Sequence, residues 1–147
     1  MIITPDVDKL IDLAIMEDYS SGDATTNSLI PLDLPGEAVL IADENGILAG
    51  LDVSLQVFRK IDKNISITNT IPDGTELQKG SEIATINGSL GSILTGERTS
   101  LNFLRKLSGV ATETRKYVDQ VRHTKAKIVD TRKTTPGFRT LEKYAVR

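Results

Sequence analysis

The residues with the clearest chemical potential lie between Asp130 and Arg139, in DTRKTTPGFR, directly after the apolar run KAKIV. Two cations, Arg132 and Lys133, stand among the hydroxyl side chains of Thr131, Thr134 and Thr135, and Pro136-Gly137 makes a turn. A guanidinium fork beside an ammonium suits a ligand bearing carboxylates or phosphates. The carboxyl end of a strand, where α/β sheets and barrels place ligands, is where such a pair would be useful. The same residues also describe a polar loop with two solvated cations, and spacing alone leaves both readings open.

Other chemistries are excluded by residues the chain lacks. It has no cysteine, which removes disulfides, thiolate zinc sites and cysteine nucleophiles and fits a reducing cytoplasm. A single histidine, His123, rules out a multi-histidine metal site or a serine-histidine triad within this chain, and it reads as a solvated loop residue. Eighteen Lys and Arg against twenty Asp and Glu give a net charge of -2, so nothing draws the molecule as a whole to nucleic acid or an anionic membrane. Anion recognition must therefore be local. The first twenty residues carry acids and no basic region leading an apolar one, and no later segment approaches the ~20 apolar residues of a membrane span. The chain is expected to be neither exported nor membrane-embedded.

The elements that must position the basic pair follow from periodicity. Val7, Leu10, Ile11, Ala14 and Ile15 share one helical face, with Thr4 as N-cap and Pro5 at the first helical position. SSGDATTNSLIP reads as a loop, and EAVLIADENGILAG as two short strands joined by a turn at Asn45-Gly46. A second helix is expected over about Val53 to Ile61, capped by Asp52. ISITNTI and SEIATING read as strands separated by PDGTELQKG. From Glu97 the longest helical pattern begins, with Leu101, Leu104, Leu107, Ala111, Thr114, Val118 and Val121 in register and a site for a bend at Ser108-Gly109. AKIVD then reads as a strand, and RTLEKYAVR as a helix from about Thr140. The order is an α+β region, a long connecting helix and one β-loop-α unit. A lone parallel strand needs neighbours on both sides, so the chain is expected to be truncated after Arg147. The apolar residues of that last unit, Ile128, Val129, Leu141, Tyr144 and Val146, are expected to lack cover.

VDTRKTTPGFRTLEKYAVR, together with LTGERTSLNFLRKLSGVATETRKYV and the earlier GDATTNSLIP and NGILAGL, closely resembles the quinolinate phosphoribosyltransferase family, also called nicotinate-nucleotide pyrophosphorylases. The resemblance spans essentially the whole chain. It implies an α+β N-terminal α/β-hammerhead domain over residues 1–106, and over residues 107–147 the first β/α unit of an incomplete β/α barrel. It also implies a pentosyltransferase of NAD biosynthesis that converts quinolinate and phosphoribosyl pyrophosphate to nicotinate mononucleotide, pyrophosphate and carbon dioxide. Mg2+ is the implied cofactor, and the implied assembly is a cytoplasmic homodimer with shared active sites and neither nucleic-acid nor membrane partners. Carried over residue by residue, Arg132 and Lys133 match the family's basic pair, which contacts the quinolinate carboxylates, with Thr131 beside them and Lys133 also in a catalytic role. Arg98, in GERTSLN, matches the arginine donated to the other subunit's site. Taken without the resemblance, Arg98 reads as a helix-start arginine paired with Glu97 or a nearby acid.

Relatives in that family continue beyond the equivalent of Arg147 into a glycine-rich stretch with a His-Arg pair, a lysine and later acids for magnesium and ribose. These have no counterpart here, so residues 1–147 alone are expected to be inactive. Two other readings remain. A paralogous molybdenum-transport-associated protein shares the fold, although the intact DTRKTTPG favours the quinolinate enzyme. IPDGTELQKGSEIATING resembles half of a biotinyl or lipoyl barrel-sandwich, but Lys60, Lys63 and Lys79 do not stand in the hairpin crest that such a carrier modifies.

Overall fold

In the computed structural model, which describes residues 3–19, 31 and 34–147, the first helix, α1 (Pro5–Tyr19), opens at Pro5 as its sequence predicts. Val7 and Ile11 on its apolar face are buried against the rest of the molecule. The expected loop over SSGDATTNSLIP lies almost wholly outside the described residues.

The sheet forms around β5 (Glu82–Ser89), which pairs antiparallel with β1 (Pro35–Ile41) on one side and β3 (Ser66–Thr68) on the other. Val39 pairs with Thr85, Leu40 with Ala84 and Ile67 with Ile86. Leu40 points into the core while Val39 and Ile41 face outward, the alternation of a half-buried strand. The two strands expected on either side of Asn45-Gly46 both form but do not pair with each other. β2 (Gly46–Ile47) joins β4 (Glu76–Leu77) in a separate two-stranded sheet. The turn is claimed by the β4–β5 connection instead: the Lys79 amide donates to the Asn45 side-chain oxygen at 2.8 Å, and Gly80 N donates to Ala42 O at 2.7 Å.

The second helix, α2 (Leu51–Ile61), begins two residues earlier than expected, and its cap is not Asp52. Gly50 occupies the cap position at φ 84°, where a Cβ would stand 2.3 Å from Leu107 Cδ1, so only glycine fits. The capping carboxylate comes from a distant loop, with Asp73 accepting from Gly50 N at 2.9 Å and Leu51 N at 3.0 Å. Asp52 lies one step inside the helix, where it still faces the positive end of the dipole.

Helix α2 divides two cores. Leu51, Leu55 and Phe58 pack with Leu40, Ala84 and Ile86 of the sheet, while Val53 and Val57 pack with α1 and the later helices. The long helix α3 (Leu90–Val121) closes both, Ile93 and Leu104 reaching the first and Phe103, Leu107 and Ala111 the second. It starts seven residues before Glu97 (97 − 90), because Ser89 caps it and burial of Ile93 overrides the weak helical propensity of Gly91 and Gly96. Ser54 and Ser100 hydroxyls meet at 2.7 Å where α2 and α3 cross, satisfying two polar groups in a dry contact. Beyond Ala111 the apolar stripe of α3 loses cover, and Val118 is exposed.

The final helix, α4 (Arg139–Val146), returns to the second core. Leu141 is fully buried there and Ala145 nearly so, contrary to the expectation that Leu141 would lack cover, and Tyr144 and Val146 are half-buried, whereas Ile128 and Val129 are exposed as expected. The Tyr144 hydroxyl donates to Asp73 Oδ2 at 2.6 Å, tying α4 to the carboxylate that caps α2. Burial, and then this hydrogen bond, pushes the Tyr144 phenol well above its ordinary value. The expected strand at AKIVD does not form: residues 126–130 run without a ladder partner, and Val129 is 76% exposed. Among the described residues no neighbouring strand pairs with its backbone groups, which β-rich composition cannot replace.

Candidate functional site

The basic pair sits on a loop fastened on both flanks. On one side Asp130 forms an ion pair with Lys143 of α4. On the other, Glu142 accepts from the Thr135 amide at 3.2 Å and from its hydroxyl at 2.7 Å, and Lys106 of α3 approaches the same carboxylate at 3.2 Å. Burial pushes the Glu142 carboxyl up, but the hydrogen bonds from Thr135 and the contact with Lys106 together hold it below the ordinary glutamate value. Phe138 stacks on Phe103 with ring centroids 5.8 Å apart, and Gly137 turns the chain at φ 81°, which favours glycine.

Between these fastenings the loop is open. Thr131 Oγ1 accepts from the Lys133 amide at 3.0 Å, a local turn that sets the backbone of the pair. Thr131, Arg132 and Lys133 are all exposed. Among the described residues no hydrogen bond or ion pair engages either cationic side chain. A fixed backbone that presents a guanidinium and an ammonium to solvent has the chemistry of an anion site.

Arg98 lies elsewhere, on α3. It stands well inside the helix rather than at its start, so the helix-start reading is corrected, while its pairing with a nearby acid is observed: its guanidinium meets Asp18 of α1 at 3.0 Å. That acid is not Glu97. A cleft of about 400 Å³ opens between α1, α3 and the motif loop, floored by Leu10, Phe103 and Phe138 and rimmed by Asp18, Lys106 and Thr135. The structure thus brings Thr131, Arg132 and Lys133 together and sets Arg98 on another element, beside the far rim of this cleft.

Several site residues escaped sequence reasoning. Glu142 shows only as an acid in the first turn of a short amphipathic helix, and Asp18 only as an acid in the last turn of α1, where the helix dipole disfavours it. Lys106 carries no signal at all, since its partner is thirty-six residues away (142 − 106). Among the described residues no three His, Asp or Glu side chains converge as a metal cage. Among the same residues no helix is long and apolar enough to cross a membrane.

Residues 23–108 match the family model for the N-terminal domain of quinolinate phosphoribosyl transferase, and residues 110–147 that for its C-terminal domain. A probable nicotinate-nucleotide pyrophosphorylase [carboxylating] from Synechocystis is 41% identical over 141 residues, covering 96% of this chain and 48% of the relative. A quinolinate phosphoribosyltransferase [decarboxylating] from Nicotiana tabacum is 38% identical over 144 residues, covering 97% of this chain and 41% of the relative. Among solved structures, NadC from Streptococcus pyogenes superimposes with a TM-score of 0.92 at 41% identity, and the nicotinate-nucleotide pyrophosphorylase from Francisella tularensis with 0.90 at 41%. Each solved comparison covers 97% of this chain, and 52% and 51% of the other chain respectively. The chain spans about half the length of the relatives it matches.

Proposed function

We propose, since this chain belongs to the quinolinate phosphoribosyl transferase family, that it supplies the quinolinate-binding surface of a nicotinate-nucleotide pyrophosphorylase. The observation that carries this reading is the fastened loop that presents Arg132 and Lys133 without a protein partner among the described residues. Residues 1–106 are the α/β-hammerhead domain, and residues 107–147 begin a β/α barrel. The working assembly is a cytoplasmic homodimer whose sites each combine Arg132 and Lys133 of one subunit with Arg98 of the other.

The reaction explains why cations are used in place of a general base. Quinolinate is a dianion whose ring nitrogen already carries a free electron pair, so no proton need be removed. That pair forms the bond to C1 of phosphoribosyl pyrophosphate while the C1–oxygen bond breaks and pyrophosphate leaves. The new pyridinium then accepts the electron pair released as the adjacent carboxylate departs as carbon dioxide, and protonation of that carbon gives nicotinate mononucleotide. Arg132, Lys133 and Arg98 orient the dianion and offset its charge beside the anionic donor, with Thr131 setting the turn. Magnesium, when bound, would screen the pyrophosphate charge.

Arg132→Lys in the complete enzyme tests the assignment, because it keeps the charge and removes the fork. The loss expected is that of a hydrogen bond to a charged group, about 1.5–3 kcal/mol in kcat/KM for quinolinate. Unchanged kinetics would mean the guanidinium geometry is not used.

A further inference from the structure

We propose that Asp18 is a positioning residue that holds the Arg98 guanidinium in the orientation a substrate carboxylate meets. The proposal rests on the reading of Arg98 as a substrate-binding cation and adds to it the residue through which that cation is ordered.

Asp18 lies in the last turn of α1, while Arg98 and Thr99 are consecutive on α3. Asp18 Oδ1 accepts from Arg98 Nη1 at 3.0 Å, and Oδ2 accepts from Thr99 Oγ1 at 3.3 Å. With both oxygens engaged, the plane of the carboxylate is set. Exposure rises along the chain of contacts: Thr99 is buried, the Asp18 side chain is 26% exposed and that of Arg98 76%. A buried hydroxyl thus anchors a half-buried carboxylate, which in turn anchors an exposed guanidinium. Each contact that holds an exposed guanidinium narrows its rotamers, and ordering it only when the ligand arrives costs conformational entropy. A carboxylate already in place removes part of that cost before binding.

The competing explanation is that the pair exists to hold α1 in place. Two physical points weigh against it. A carboxylate in the last turn stands at the negative end of the helix dipole, and α1 has no basic residue there to offset it. An ion pair with a guanidinium so exposed also contributes little to stability. For stability alone asparagine would serve as well at position 18, since its carboxamide oxygen still accepts from Thr99. The negative charge is needed only if the guanidinium must be held.

The test compares Asp18→Asn, Asp18→Glu, Arg98→Ala and the double variant Asp18→Asn/Arg98→Ala in the complete enzyme, by steady-state kinetics and thermal unfolding. Asp18→Asn is expected to lower kcat/KM for quinolinate by about ten- to a hundredfold, mainly through KM. It should leave KM for phosphoribosyl pyrophosphate unchanged and shift Tm by no more than about two degrees. Asp18→Glu, which keeps the charge, should recover part of the loss, and Asp18→Asn should add nothing once Arg98 is alanine. Wild-type kinetics for Asp18→Asn alongside an inactive Arg98→Ala would overturn the proposal and leave the reading of Arg98 standing. Wild-type kinetics for Arg98→Ala would remove that reading itself. A loss in Asp18→Asn that follows Tm, with KM for quinolinate unchanged, would assign Asp18 a structural role and also overturn the proposal.

Discussion

Two stretches of β-forming sequence meet different fates in this molecule. Glu82–Ser89, EIATINGS, lies between β1 and β3 and buries Ile83, Ala84 and Ile86. Residues 126–130, AKIVD, are as rich in β-branched side chains, yet they form no strand and leave Ile128 and Val129 exposed. Composition gives a segment the capacity to be a strand, and pairing makes it one, because each extended residue carries an amide and a carbonyl that must find partners. The first stretch finds them on both sides. The second has no strand beside it among the described residues, only the Ala126 amide finding a partner, in Thr124 Oγ1 at 3.0 Å, and it is this stretch that leads into the basic pair.

The contrast should be sharpest in amide exchange. Ile83–Ile86 should exchange only through global opening, whereas residues 127–130, whose amides meet no partner among the described residues, should exchange almost as an unfolded chain does, a gap of about a thousandfold or more. Equal protection in this chain at low concentration would show that 126–130 is paired after all. Side-chain truncation should divide the regions by a smaller margin. Leu107→Ala, in the second core, should cost about 2–5 kcal/mol, and Val129→Ala no more than about 0.5 kcal/mol, both read from urea unfolding.

The smallest expected effect concerns the contact that fastens the motif loop to α3 and α4. The folded pKa of Glu142 lies below its unfolded value, so its contribution is fully present above the ordinary value of 4.5 and is lost as pH falls through the folded pKa. The Tm difference between wild type and Glu142→Gln should therefore shrink on acidification from about pH 6 to about pH 3. A difference that stays constant across that range would mean the Thr135–Glu142–Lys106 contact carries no net charge effect.

Much of the fold was legible because it is encoded locally. Pro5 and the Val7–Ile11 spacing mark α1, and the Leu104, Leu107, Ala111 series marks α3. Misreadings arose where a distant residue decided the outcome. Asp73 caps α2 from twenty-two residues beyond Leu51 (73 − 51), so the nearby Asp52 looked like the cap. Asn45-Gly46 has hairpin chemistry, but Lys79 and Gly80 take its partners. Leu141 seemed to need absent neighbours, yet α1 and α3 already provide a core for it. The basic pair was legible because residue type carries its chemistry, whereas Glu142, Lys106 and Asp18 act through contacts that sequence spacing does not reveal.

The two regions also divide the proposed site, Arg98 belonging to the packed body and Lys133 to the open loop, and the central claim is that they meet across a two-fold interface. Arg98→Ala and Lys133→Ala homodimers of the complete enzyme should each lose most activity, since every site lacks one cation. In a mixed dimer one site carries both defects, and the other takes Arg98 from the Lys133→Ala subunit and Lys133 from the Arg98→Ala subunit. The decisive measurement is the activity of equal amounts of the two variants after co-refolding, with heterodimers confirmed by mass. About half the dimers should be mixed with one intact site of two, restoring roughly a quarter of wild-type activity. Activity equal to the average of the two parent variants, with heterodimers present, would contradict the shared site and leave Arg98 with its ion pair to Asp18 as a contact within one subunit.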